Sequence, residues 1–176
     1  MTKGEKLAGV FAIAPWVIFD TDPGVYPSMR ENEKRDLITP ALLDKFADNY
    51  LPNGRASGDS WSESLRAPGE WWSGFKAKRL LITVGGDEIL RSPIETFVEK
   101  LRAAIADGAG EKENGDGEVS FLIGERETHV PMVFANERDT QQGAELERWL
   151  VKCLDGRSRK LGGRWLRGGR SHLLFL

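Results

Sequence analysis

Three short apolar runs, each closed by glycine, proline or polar residues, constrain the fold of this chain more than any other feature. They span Leu7 to Ala14, Leu80 to Val84, and Val119 to Ile123. Such runs are typical of buried strands. Helical spacing follows the second and third runs, and this alternation predicts a parallel sheet with crossover helices, the α/β class.

The helix after the second strand carries the clearest local signal. Ser92 can cap it, Pro93 suits its first turn, and Glu95 completes a capping box. An apolar stripe at helical spacing then follows: Ile94, Phe97, Val98, Leu101 and Ile105. Similar spacing predicts a helix over Ala41 to Tyr50, and another in the second half of 134–154. The apolar face of the latter consists of Leu146, Trp149, Leu150 and Cys153.

Composition narrows the function classes. The 176 residues fit one domain, and a net charge of −2 gives no electrostatic signal for nucleic acid or an anionic membrane. No apolar run has the length of a transmembrane helix, and Pro15 and Asp20 fit a signal peptide poorly. One cysteine, Cys153, excludes an internal disulfide framework, so a reducing, cytoplasmic location is favoured.

Two titratable residues follow two of the predicted strands. Asp87 comes just after the run that ends at Val84, and His129 comes after the run that ends at Ile123. In open α/β sheets, functional groups gather beyond the carboxyl ends of the strands. We therefore expect this carboxylate and this imidazole on one edge of one sheet, with the carboxylate near the imidazole Nδ1. The adjacent Glu88 could be mistaken for this carboxylate, but the role is assigned to Asp87.

Several stretches together carry a resemblance to a known family. They are LAGVFAIAPWVIFD, SMRENEKRDLI, RAPGEWW, LLITVGGDEILRSPIETFVEKL and ETHVP, in that order from Leu7 to Pro131. The chain resembles the C-terminal half of an α/β-hydrolase of the hormone-sensitive-lipase-like (fold-3) esterases, and most of all their fungal steryl acetyl hydrolase-like members. The resemblance implies a partial α/β-hydrolase sheet, mostly parallel with crossover helices.

The resemblance also implies catalytic roles. Asp87 matches the family's triad acid and His129 its triad base, which accepts the proton of a serine nucleophile. The resemblance places a G-x-S-x-G elbow and an H-G-G-G oxyanion loop upstream of Leu7, and the sequence carries neither motif. Ser60, in Gly58 to Ser62, has the start of such an elbow, but no apolar strand precedes it. It is better interpreted as a loop serine.

The predicted organisation is one hydrolase part and a tail. Residues 1–155 form the C-terminal part of the domain, and residues 17–78 within it form a cap or substrate-pocket region. The Trp-rich stretch there could equally be core beneath a long loop. Residues 156–176 are basic and are expected to be a poorly ordered tail.

Different functions fit these features. The first is a serine carboxylic-ester hydrolase whose substrate is a small ester, the missing part coming from an N-terminal half or a complementing chain. A thioester hydrolase or acyltransferase of the same fold is an alternative, because only the leaving group and acceptor change. Another is a non-catalytic hydrolase fragment or binding module. No cofactor is expected, and the sequence has no phosphate-cradling loop or metal-ligand cluster.

Overall fold

The computed structural model describes residues 6–52, 57–72, 75–107, 117–131, 140–158 and 173–175. The elements follow in the order β1 (Gly9–Ile13), α1 (Ser28–Glu31), α2 (Pro40–Tyr50), β2 (Arg79–Gly85), α3 (Arg91–Asp107), β3 (Glu118–Gly124), α4 (Gln141–Ser158) and β4 (Leu173–Phe175). Short 3-10 helices at Ser64–Arg66 and Gly69–Trp72 lie between α2 and β2.

A parallel sheet organises the described part of the chain. The strand order is β3-β2-β1-β4, and each strand runs parallel to its neighbours. Val10 lies opposite Leu80, which lies opposite Val119 on the other side. The α/β class and the three strands predicted from the sequence are thereby confirmed.

The fourth strand lies in the segment expected to be a poorly ordered tail. Leu173 pairs with Gly9 and Phe175 with Phe11, so β4 adds to the edge of β1. The helix α4 also runs past residue 155, to Ser158. The division at residue 156 stays a prediction, and residues 159–172 and 176 lie outside the described residues.

Alternate residues of the strands face two separate apolar clusters. Val10, Leu80 and Ile82 pack on one side of the sheet, where α3 covers them with the predicted stripe from Ile94 to Ile105. Phe11 and Leu81 face the other side, against α4. There the predicted face of α4 is confirmed: Trp149 and Cys153 are buried, with Leu146 and Leu150 packed beside them.

The start of α3 differs from the predicted capping box. The helix begins at Arg91, so Ser92 lies inside its first turn and not at its cap. Its hydroxyl accepts a hydrogen bond from the backbone N–H of Ser28 at 3.0 Å. The Ser92 side chain, which the local sequence assigned to capping α3, thus binds Ser28, a residue distant in the sequence.

The segment predicted to be a cap, residues 17–78, has hydrogen bonds within itself and packs against α3. Buried Glu63 accepts hydrogen bonds from the N–H groups of Phe19 and Gly58. Trp72 packs edge-on against Phe97 of α3, whereas Trp61 is 83% exposed. A cavity of about 310 Å³ lies within this segment, between Phe19 and Arg66, and neither Glu88 nor His129 lines it. The cap assignment stays a prediction.

In the part of the chain that the structure describes, no helix has the length and apolar character needed to cross a membrane.

Candidate active site

The loops after β2 and β3 are bound to each other at the carboxyl edge of the sheet. The N–H of Gly86 donates to the carbonyl of Gly124 at 2.7 Å, and the N–H of Asp87 donates to the carbonyl of Glu127 at 3.0 Å. This arrangement follows from the parallel pairing of β2 and β3, which ends at Gly85 opposite Gly124. The expectation that residues 87 and 129 lie on adjacent loops at one sheet edge is confirmed.

The carboxylate that contacts His129 belongs to Glu88. Its Oε1 lies 2.7 Å from Nδ1 of His129, and its Oε2 accepts the N–H of Gly85 at 2.9 Å. The Glu88 side chain is 0% exposed, and that of His129 is 24% exposed. A buried, doubly bound carboxylate therefore orients an imidazole that keeps partial access to solvent.

Asp87 makes a different contact from the one expected. Its Oδ1 pairs with the guanidinium of Arg35 at 3.1 Å, at a site where both side chains are partly exposed. The prediction that the Asp87 carboxylate would lie at Nδ1 of His129 was wrong, because Glu88 holds that position. Glu88 turns back onto the N–H of Gly85 at the end of β2, whereas Asp87 faces outward to a cation.

The surroundings of Glu88 and His129 raise the pKa of both groups. Burial raises the pKa of Glu88 above its ordinary value, against the opposing effect of its hydrogen bond to His129. Burial alone would lower the pKa of His129. The hydrogen bond and charge of Glu88, together with the charge of Asp36, outweigh burial and leave the pKa of His129 raised. The imidazolium is thus stabilised.

These shifts predict how stability depends on pH. Because the pKa values of Glu88 and His129 are both raised, the folded state binds protons more tightly than the unfolded state. Their contribution to the free energy of unfolding is fully present below the ordinary pKa of a glutamate. It is lost as pH rises through the raised pKa values of the two groups. Each proton involved changes the slope by at most about 1.4 kcal/mol per pH unit.

Urea unfolding of the wild-type chain and Glu88→Gln between about pH 4 and 8.5 measures this contribution, with the window set by ordinary glutamate and histidine pKa values. We expect the wild-type minus variant difference to shrink as pH rises. A difference that grows with pH across this window would contradict the assigned shifts.

The backbone beside His129 is strained. Val130 has a φ of 43°, in the left-handed region that β-branched residues rarely adopt. Such a conformation costs about 1–3 kcal/mol and persists only where its surroundings hold it. The contacts that fix the 127–129 backbone therefore matter for the placement of the imidazole.

Gly85 allows the backbone of Glu127 and Thr128 to lie close to the end of β2. A Cβ there would lie 2.7 Å from the carbonyl oxygen of Thr128 and closer still to that of Glu127, and both are backbone atoms. We expect Gly85→Ala to lower the free energy of unfolding by roughly 1–3 kcal/mol, as overpacking does. The control is Gly69→Ala, whose Cβ would meet only the Ala104 Cβ, at 3.7 Å. Equal urea midpoints for the two variants would show that the loop can yield at no cost.

The Gly58 to Ser62 stretch does not have the geometry of a nucleophile elbow. The Asp59 carboxylate accepts the N–H groups of Trp61 and Ser62, which makes a tight turn before the 3-10 helix at Ser64–Arg66. No strand leads into it within described residues 57–72. This supports the interpretation of Ser60 as a loop serine.

A sequence-family model described as the alpha/beta hydrolase fold matches residues 1–116, which is more than half of the chain. The chain belongs to the α/β-hydrolase fold family. The matched range contains β1, β2 and Glu88, and His129 lies beyond it. No curated protein matches the chain at a significant level.

Solved structures show the same fold. A hormone-sensitive lipase from a metagenome library superposes with a TM-score of 0.62 at 24% identity, over 83% of this chain and 44% of that one. An esterase of the bacterial hormone-sensitive lipase family gives 0.60 at 18% identity, over 88% and 44%. A thermostable esterase from Pseudomonas putida gives 0.54 at 20%, over 70% and 34%. This α/β-hydrolase chain therefore spans less than half of the length of these proteins.

Proposed function

We propose that this α/β-hydrolase chain supplies the acid and the base of a serine carboxylic-ester hydrolase, with Glu88 as the acid and His129 as the base. The observation that carries the proposal is the 2.7 Å contact between a fully buried carboxylate and Nδ1 of a partly exposed imidazole, at the carboxyl edge of a parallel sheet. The family supports the reaction class, and so do the superposed structures, which are a hormone-sensitive lipase and an esterase.

The geometry fits the work that such a pair performs. With Nδ1 held by Glu88, the neutral imidazole carries its proton on Nδ1 and leaves the lone pair of Nε2 available. A serine hydroxyl then attacks the ester carbonyl while its proton passes to Nε2. The alcohol leaves with that proton, an acyl-enzyme remains, and a water activated by the same nitrogen releases the acid. Glu88 stabilises the imidazolium formed in both steps.

The serine is the part of the mechanism that this chain's described residues do not bring to the pair. No hydrogen bond within the described segments joins a serine hydroxyl to His129. We infer that the nucleophile comes from a further polypeptide segment, either encoded in the same gene or carried by a complementing chain. The same chemistry serves thioesters, so the acyl group and leaving group stay open.

The test compares this chain alone with the same chain preceded by whatever its gene encodes upstream. We expect the chain alone to hydrolyse p-nitrophenyl butyrate no faster than its His129→Ala variant, and to resist a fluorophosphonate probe. The longer protein should contain a G-x-S-x-G segment, react with the probe there and lose its activity in His129→Ala. A longer protein without such a serine, or with activity independent of His129, would contradict the proposal. Labelling of Ser60 in the chain alone would show that the nucleophile lies within it.

A further inference from the structure

One face of the segment after Pro27 lies against the loop that carries Glu88. Ser28, Asn32 and Asp36 follow at a spacing of four residues, which places them on one side of consecutive helical turns. The turns are continuous, since the N–H of Asn32 donates to the carbonyl of Ser28 and the N–H of Asp36 donates to that of Asn32, both at 3.0 Å. We call Ser28, Asn32 and Asp36 the clasp.

Asn32 binds the Glu88 residue itself. Its amide nitrogen donates to the carbonyl of Glu88 at 2.9 Å and to that of Gly86 at 3.0 Å. Asn32 is buried, at 3% exposure. Because an amide NH₂ carries two hydrogens, one side chain fixes the backbone on both sides of Asp87.

Asp36 and Ser28 hold the residues that follow. An Asp36 carboxylate oxygen accepts the N–H of Ile89 at 2.6 Å. The hydroxyl of Ser28 donates to the carbonyl of Ile89 and accepts the N–H of Ser92, at 2.5 and 2.9 Å. The three side chains of the clasp thus form hydrogen bonds with backbone groups between Gly86 and Ser92. This stretch contains the buried Glu88.

We propose that Asn32 and Asp36 are positioning residues for the Glu88–His129 pair: they fix the backbone from which Glu88 reaches Nδ1, and Asp36 adds a negative charge that favours the imidazolium. The catalytic meaning of this inference rests on the proposed function, whereas its test measures His129 directly. Neither residue contacts the imidazole through a hydrogen bond in the described structure, so both act through Glu88 or through space.

The other charged groups around the pair are engaged elsewhere. Asp87 is paired with Arg35. Glu127, two residues before His129, directs its carboxylate to the N–H groups of Gln141 and Gln142 at the start of α4. Arg91 of α3 contacts Glu31, Glu95 and the Gly86 carbonyl. Glu88 and Asp36 are the charges that raise the pKa of His129.

The experiment follows the imidazole resonances of the intact chain through a pH titration by NMR. The chain has two histidines, so His172→Gln assigns them. Asn32→Leu removes both donated hydrogen bonds without a change of charge. Asp36→Asn keeps an acceptor for Ile89 and removes the charge. Glu88→Gln gives the value of His129 without its carboxylate partner.

Two controls separate positioning from general effects. Asp48→Asn removes a carboxylate of α2 that does not act on His129. Thr39→Ala removes the side chain that caps α2 and so weakens the fold away from the Glu88 loop.

We expect the pKa of His129 to be highest in the wild-type chain and in both controls, lowest in Glu88→Gln, and intermediate in Asn32→Leu and Asp36→Asn. The inference would be overturned if the pKa of His129 in both clasp variants equals that of the wild-type chain while circular dichroism shows that they are folded. If Asn32→Leu is unfolded, Asp36→Asn decides, because it preserves the hydrogen bond. An unchanged pKa of His129 in Glu88→Gln would instead contradict the acid–base pair. Failure of the proposed function is therefore distinguishable from failure of the positioning role.

Discussion

Replacing Glu88 by glutamine in the serine-containing protein is expected to lower kcat/KM by about 10³–10⁴-fold, the size of effect seen when a triad acid loses its charge. The substitution keeps the shape of the side chain. It removes the negative charge that stabilises the His129 imidazolium and permits the amide to hold the wrong tautomer. The measurement is the hydrolysis of p-nitrophenyl butyrate at a pH where wild-type activity is maximal.

Asp87→Asn is the matched control for this substitution. It removes one carboxylate at the neighbouring position and breaks only the partly exposed pair with Arg35. Such pairs contribute up to about 1 kcal/mol, so we expect less than about a tenfold loss of kcat/KM. The reverse order of the two variants would return the acid role to Asp87, as the sequence resemblance implied.

Removing the last five residues, 172–176, is expected to make the chain self-associate. This deletion takes away β4, which pairs in parallel with β1 from Gly9 to Phe11. The backbone groups of β1 then form an open sheet edge, and open edges promote pairing with other chains. Each lost ladder hydrogen bond costs about 1 kcal/mol, and each kcal/mol lowers Tm by about 2–4 °C for a chain of this size.

Size-exclusion chromatography with light scattering measures the outcome over a range of concentrations. The control is removal of Leu176 alone, which leaves all residues of β4. We expect the control to match the full chain of 19.6 kDa in mass and Tm, and the longer deletion to shift to larger, concentration-dependent species. A shortened chain with the mass and Tm of the control would show that β4 does not protect the β1 edge.

Strands β1, β2 and β3 could be predicted from local sequence, whereas β4 was missed. Each of the first three is a short apolar run closed by glycine or by polar residues, and alternate residues of β1 and β2 do face opposite clusters. Helix α3 could also be predicted, from its stripe of apolar residues. Elements that depend on distant partners were not: α1 is polar and only four residues long, and Ser92 bonds Ser28 across 64 positions.

The sequence assigned the carboxylate of the candidate pair to Asp87, whereas Glu88 contacts His129. Sequence order placed Asp87 beyond β2 and His129 beyond β3, and the loops after these two strands are bound to each other. The choice between Asp87 and Glu88 depends on which carboxylate folds back onto the N–H of Gly85 and which meets Arg35, 52 positions away. Local sequence does not contain that information. Arg35 lies in a stretch that carries the family resemblance. Its positive charge was the one signal in the sequence that Asp87 could pair with a cation and not with His129.

The measurement that tests the central claim most directly is NMR of the His129 imidazole in chains labelled with ¹⁵N-histidine, comparing wild type, Glu88→Gln and Asp87→Asn. We expect a strongly hydrogen-bonded Nδ1–H and a raised pKa of His129 in wild type and in Asp87→Asn, and the loss of both in Glu88→Gln. Loss of the bonded proton in Asp87→Asn with its retention in Glu88→Gln would contradict the account.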